Sequence, residues 1–268
     1  MQEKMISTKR GVVYYWSNTN TTDATMAIVF CHGVTADHHL FDKQTEYLET
    51  SYHLINWDLP LHGKSKLYQD FSYHHACEDL LEIMLKEKIE TILLIGQSAG
   101  GYIAQQFMIE HPEQVVGFMG IGTTPFGKQY YKSSDLFWIR HYATIAKMYP
   151  YRTYCKMSAN SVSYTKESRA NFYDVLWKLG KDGMLSATKG IYDEFLKVGL
   201  NEVNFRCPVL LTYGAYDKVG YVVKYNKAWS KNTGYLLTVI PEASHNANYD
   251  NYQVFNELTK KFILDNDL

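Results

Sequence analysis

An α/β fold with a mostly parallel central sheet is the class that this sequence predicts, and three observations predict it. Short continuous apolar runs rich in β-branched residues recur between turn residues, as the buried strands of a parallel sheet require. Helix-period segments lie between several of these runs. The chain has 268 residues, which suits one large domain or one domain carrying an insertion, with a core that needs no staple.

The runs are Met26 to Cys31, His53 to Trp57, Thr91 to Ile95, Val115 to Ile121, Val209 to Tyr213 and Leu236 to Ile240. Before the third, Ala76, Leu80, Leu81 and Met84 share one helix face. After it, Tyr102, Gln106 and Ile109 lie near 3.6 spacing, and Pro112 stops the helix. From about Pro125 to Asn204 the pattern is helical only. Leu136, Ile139, Ala143 and Ala146 form one stripe; Phe172, Val175, Leu176 and Leu179 form a second, ended by Gly180; Ile191, Phe195 and Val198 form a third. The chain closes on a helix carrying Val254, Leu258 and Phe262. The expected organisation is a core of residues 1–124 and 201–268, with a helical cap of residues 125–200 inserted in it.

Composition excludes several functions. Lys+Arg 27 against Asp+Glu 28 leaves a net charge of −1, without the electrostatic term that dominates nucleic-acid affinity. Nucleic acids and acidic membranes are therefore not expected partners. No stretch approaches the roughly 18 apolar residues of a membrane span, and the opening residues contain no apolar secretory core. Cys31, Cys77, Cys155 and Cys207 form no C-x-x-C pair, so the reading is a reduced, cytoplasmic protein.

The chemistry is concentrated in Gly96-Gln97-Ser98-Ala99-Gly100-Gly101. This is G-x-S-x-G with an apolar strand before it and a helix pattern after it, the context that lifts a serine onto a sharp, strained turn. Gly96 and Gly100 supply the lack of bulk that lets strand and helix approach. A serine hydroxyl needs a base, and the base needs an acid to hold its tautomer. Asp217 stands just past the Val209 run and His245 just past the Leu236 run, in the order Ser, Asp, His. Glu242 and Asp250 are rival carboxylates near His245; Gly122-Thr123-Thr124-Pro125 offers none. An oxyanion needs preorganised N–H donors, and the backbone of Ala99 and of Val34, after His32-Gly33, is the expected pair.

These segments, with Asp58-Leu59-Pro60-Leu61-His62-Gly63-Lys64-Ser65, together resemble the α/β-hydrolase superfamily, in particular its cap-bearing esterase, lipase and carbon–carbon hydrolase branch. The resemblance spans nearly the whole chain. It implies a sheet of about eight strands flanked by helices and a Ser-His-Asp mechanism without a cofactor. Two positions depart from the family pattern: Leu61 replaces a glycine of D-x-x-G-x-G-x-S, and Asn246 rather than an apolar residue follows the histidine.

The remaining histidines are read as structural. His32 and His62 support loops, and His38-His39 and His74-His75 lack the spacing of a metal site, so no metal is expected. Gly117, Gly120 and Gly122 do not open a helix and are no dinucleotide fingerprint. Rings crowd residues 125–200; most pack cap on core, while others, with Trp138 and Phe172 as candidates, roof Ser98 over an apolar substrate. The expected activity is hydrolysis of a small to medium apolar carboxylic ester. A carbon–carbon bond hydrolase, lactonase, thioesterase or perhydrolase would use the same groups, and a non-catalytic binder would have no need of the strained turn.

Overall fold

The computed structural model describes residues 1–18, 26–201 and 203–268. Eight strands form one sheet, β1 (Gln2–Thr8), β2 (Gly11–Ser17), β3 (Met26–Cys31), β4 (His53–Trp57), β5 (Thr91–Gln97), β6 (Val115–Ile121), β7 (Val209–Gly214) and β8 (Leu236–Ile240), in the order β1-β2-β4-β3-β5-β6-β7-β8. The strands β4-β3-β5-β6-β7-β8 run parallel. All six runs read from sequence are strands of this parallel part.

The first two strands lie outside that reading. They form an antiparallel ribbon that joins the sheet through β2 and β4. In β2 the buried Val13, Tyr15 and Ser17 alternate with half-buried neighbours, and β1 buries only Ile6. β1 mixes charged, polar and apolar residues, and although β2 holds the run Val12-Val13-Tyr14-Tyr15-Trp16, only alternate residues of it are buried, unlike a strand covered on both faces.

Period-2 geometry divides each central strand between two cores. Val29, Leu94 and Leu211 face α2 (Tyr73–Glu87), α3 (Gly100–Glu110) and α7 (Val222–Thr233). Ile28, Phe30, Leu93 and Ile95 face the opposite cluster with α1 (Asp42–Leu48) and α9 (Tyr252–Asp265). Two helix faces are rotated from the expected ones. In α3 the buried residues include Ile103, Ala104, Phe107 and Met108, while Ile109 is exposed. In α9 Phe255, Thr259, Phe262 and Ile263 are buried and Val254 is exposed. Each stripe chosen from spacing had a better neighbour one residue away, and packing decided between them.

Between β6 and β7 lie α4 (Ser133–Lys147), α5 (Tyr151–Val162) and α6 (Lys166–Val198). The three expected stripes sit on these helices, and the helical run carrying the second one ends at Gly180, as expected. With φ 81 and ψ 163 this glycine kinks α6, which resumes and carries Ile191 and Phe195 into the core. A four-residue helix, α8 (Ala247–Asp250), precedes α9. No helix among the described residues is long and apolar enough to cross a membrane.

Candidate active site

Ser98 sits between β5 and α3 with φ 50, a left-handed conformation that costs a non-glycine residue roughly 1–2 kcal/mol. The turn is held because Ser98 N donates to Ile121 O at 2.8 Å. Its flanking glycines are demanded by space: a Cβ on Gly100 would lie 2.1 Å from Cys31 O, and one on Gly96 2.7 Å from Gly101 Cα.

Asp217 lies on the turn after β7, where its N–H donates to Gly214 O at 2.9 Å. Its Oδ1 accepts from Val219 N at 2.9 Å, leaving Oδ2 to meet His245 Nδ1 at 2.8 Å. The Asp217 side chain is fully buried and that of His245 nearly so. Nδ1 thus carries the proton toward Asp217, and Nε2 is the basic nitrogen. Ser98 and His245 line one cavity, with no hydrogen bond between their side chains in the described structure. The rival carboxylates are elsewhere engaged: Glu242 is exposed, and Asp250 is saturated by Tyr164 N, Thr165 N and Ser244 N, each at 2.9 Å.

Three contributors were missed in the sequence. Gly122, dismissed with the glycine triplet, has φ +55 and sits under the Asp217–His245 pair, where a Cβ would lie 3.0 Å from Nδ1. Gln97 Nε2 donates to His245 O at 3.1 Å and to Asn246 Oδ1 at 3.4 Å, tying the serine turn to the histidine loop. Asp250 ties that loop to the start of α6. The last two are ordinary polar residues whose partners lie far away in sequence; Gly122 alone carried a signal, since glycine just past a strand end often marks a close approach.

Val34 lines the cavity beside Ser98. Ala99 is buried where α3 starts, and the first N–H groups of a helix have no partner within it. The loop carrying Val34 is braced by His32, whose Nε2 accepts from Leu59 N at 3.0 Å and whose Nδ1 donates to Gly33 O at 2.8 Å. Burial, then neighbouring His62, pushes the His32 pKa down to about 3; burial takes His62 to about 4. Both rings are neutral props. Leu61 takes up φ 73 despite its side chain, a left-handed conformation that a glycine would adopt without strain.

Asp37, His38 and His39 are the described group with ligand atoms close enough for a metal, but each is already bonded. His38 Nδ1 meets Asp58 Oδ1 at 2.7 Å, His39 faces Asp42, and Asp37 Oδ1 caps His39 N. His38 also stacks on Trp16, 3.5 Å between centroids, so it is a packed residue rather than a surface one.

The cavity measures about 400 Å³. Trp138 and Phe172 both line it, with Tyr142, Tyr154 and Tyr192 from the same three helices. Its lining contains no Lys, Arg, Asp or Glu. Burial raises the phenols of Tyr142 and Tyr154, which stay protonated and hydrogen-bond each other at 3.0 Å. Asn246, the second departure from the family pattern, lines the cavity next to His245.

A family model described as alpha/beta hydrolase fold matches residues 27–252. The chain belongs to this family. Among solved structures it is similar to a thermophilic esterase from Thermogutta terrifontis, with TM-score 0.77, 17% identity and 99% of each chain covered. A hydrolase from Pseudomonas aeruginosa PA01 gives TM-score 0.80 at 15% identity, with 98% of each covered. Among curated proteins it is similar to a pimeloyl-[acyl-carrier protein] methyl ester esterase of Yersinia enterocolitica, 27% identical over 41% of each chain. It is also similar to the magnesium-chelatase 30 kDa subunit of Rhodobacter capsulatus, 32% identical over 40% of this chain and 39% of that one. The chain spans about four tenths of the length of these curated relatives.

Proposed function

We propose that this protein is a serine hydrolase cleaving small to medium apolar carboxylic esters. The observation that carries this reading is the buried Asp217–His245 pair facing the same uncharged cavity as Ser98 on its strained turn. Ser98 Oγ attacks the ester carbonyl carbon while His245 Nε2 takes its proton. Asp217 holds Nδ1–H and stabilises the imidazolium. The N–H groups of Val34 and Ala99 receive the oxyanion, and collapse of the tetrahedral intermediate expels the alcohol, which takes the proton from His245. Water then repeats the sequence on the acyl-enzyme and frees the acid.

In this reading residues 125–200 act as the cap over the acyl site, and Trp138 and Phe172 contact substrate. A lining without Lys, Arg, Asp or Glu favours a neutral substrate, since an ionic one would lose its hydration without gaining a partner. The relatives named as esterases support the ester bond as the target.

The test is covalent labelling. A fluorophosphonate is expected to attach to Ser98, and Ser98→Ala to lose both labelling and p-nitrophenyl ester turnover, the latter by a factor on the order of 10⁴ or more. Labelling of another serine, or none in the folded protein, would overturn the assignment.

A further inference from the structure

The near-zero net charge conceals a segregation. Residues 125–200 hold twelve Lys and Arg against six Asp and Glu, while the rest of the chain holds fifteen against twenty-two. Much of the unbalanced positive charge is on α4 and α5. There Arg140, Lys147, Arg152 and Lys156 are exposed, and their side chains have no bonding partner among the described residues. The single acid of these helices, Asp135, is turned inward and bonded to the Tyr225 hydroxyl and to Lys132 N. On α6, Glu167, Asp193 and Glu194 are matched by Lys43, Lys189 and Lys197, leaving Asp174 and Asp182 as its exposed acids without such a match.

The same two helices expose Phe137 (55%), Trp138 (60%) and Met157 (53%), and the turn between them exposes Met148 (80%) and Tyr149. Trp138, Tyr149 and Met157 also line the Ser98 cavity, so the apolar patch is continuous with its wall. A helix lying in a lipid interface presents large apolar side chains to the acyl region and carries Lys and Arg on its polar side, whose long stems reach back to the headgroups, and α4 and α5 carry both kinds of group exposed. Rings sit at the headgroup boundary, apolar tips enter the acyl region, and long basic stems reach lipid anions.

Other occupants fit less well. A second copy related by a two-fold axis would bring these cations toward their own images. Against an acidic protein, lysine is a poor contributor to the core of protein interfaces, yet two of the four cations are lysines adjoining Met148 and Met157. We propose that α4 and α5 dock on an anionic lipid surface, with Phe137, Trp138, Met148 and Met157 entering it and Arg140, Lys147, Arg152 and Lys156 meeting its headgroups, so that the cavity opens onto the lipid. The expectation against acidic membranes came from whole-chain charge, but a surface meets local charge.

The full chain is tested by co-sedimentation with vesicles of phosphatidylglycerol and phosphatidylcholine in equal parts, and of phosphatidylcholine alone. Binding is expected to the first, weakened by raised salt and much weaker to the second. Replacing Arg140, Lys147, Arg152 and Lys156 together by Gln is expected to weaken it at least a hundredfold, about fivefold per cation. Phe137→Ser with Met148→Ser is expected to weaken it as well. None of these six side chains lines the cavity, so hydrolysis of a water-soluble short ester is expected to persist, and near-ultraviolet circular dichroism reports the fold whether or not turnover exists. Ser98→Ala is expected to bind vesicles like the parent, which separates failure of docking from failure of the ester reading. The proposal is overturned by absence of binding to anionic vesicles, or by binding that the quadruple variant retains. A dimer dissolved by Phe137→Ser with Met148→Ser, or tighter binding to soluble polyglutamate than to vesicles, would equally overturn it by assigning the face to a second copy or to an acidic protein.

Discussion

Gly100 and Gly180 differ in what surrounds them, and so do the two halves of the site they represent. At the sheet end a Cβ on Gly100 would strike the Cys31 carbonyl, and one on Gly122 would crowd His245; a Cβ on Gly180 of α6 would meet nothing within 4 Å outside its own helix backbone. Polar groups at the sheet end are closely matched, through Asp217, Gln97 and Asp250. The α4–α5 wall presents rings and methionines, several of them half in water. Groups that must be held to a fraction of an ångström are placed by backbone and buried hydrogen bonds. A wall that only buries apolar surface can be built from adaptable side chains. Under the proposed function, damage at the sheet end should therefore fall on kcat, and damage in the insertion on substrate preference.

The largest separation is expected at Asp217. Asp217→Asn leaves the shape but lets the imidazole take the wrong tautomer, and kcat for p-nitrophenyl esters is expected to fall by about 10⁴ with little change in Tm. Glu242→Gln is expected to be neutral in the same assay. The reverse ranking would place the acid elsewhere and remove the reason for a rigid sheet end.

Asp250 sits on the boundary between the halves, since it receives N–H donors from the insertion and from the histidine loop together. In Asp250→Asn an amide NH₂ replaces one acceptor oxygen and faces a donor. A fall in kcat of roughly tenfold or more is expected, with KM less affected, because His245 loses its placement while the wall persists. A change in KM alone would mean that the tie serves the wall instead.

Acid stability probes the props behind the Val34 loop. His32 and His62 have folded pKa values of about 3 and about 4, below the unfolded value near 6.5. Below pH 6.5 the unfolded chain takes up protons that the folded rings refuse, so their contribution is complete above about pH 6.5 and is lost as pH falls toward 4 and 3. Each contributes a slope of up to about 1.4 kcal/mol per pH unit. In urea titrations between pH 6 and 4.5, His62→Gln is expected to flatten the loss by about one proton. An unchanged slope would show that the ring is protonated in the native state.

The smallest effects are expected in the wall. Trp138→Ala and Phe172→Ala are each expected to change the preference among acyl chain lengths severalfold, at roughly 0.8 kcal/mol per methylene no longer buried. Phe172, which is buried, should move it more than Trp138 at the exposed rim. A chain-length profile indifferent to both would place specificity in the sheet-end loops and dissolve the contrast between the halves.

The difference in legibility follows the same line. Strands β3 to β7 could be read because strands buried on both faces are continuous apolar runs, and β8 because its run is apolar and β-branched although it lies at the sheet edge with Leu236 and Val239 exposed. Ser98 could be read because a strained turn between strand and helix needs small residues at fixed offsets, and the order Ser, Asp, His follows from successive strand ends. These are local demands, so they are written locally. The β1–β2 ribbon is half exposed, and its one apolar run, Val12 to Trp16, follows a segment of mixed charge that gives no strand pattern; the faces of α3 and α9 were ambiguous by one residue until the sheet was placed against them. Gln97 and Asp250 acquire meaning only through partners far along the chain, because one hydrogen bond to a distant backbone leaves no periodicity, and Gly122 shows locally only that a glycine follows a strand, not that His245 packs against it. Whole-chain charge was legible from composition alone, but its concentration on the exposed faces of α4 and α5, beside Trp138 and Met148, was decided by the packing that turned Asp135 inward and left the cations outside.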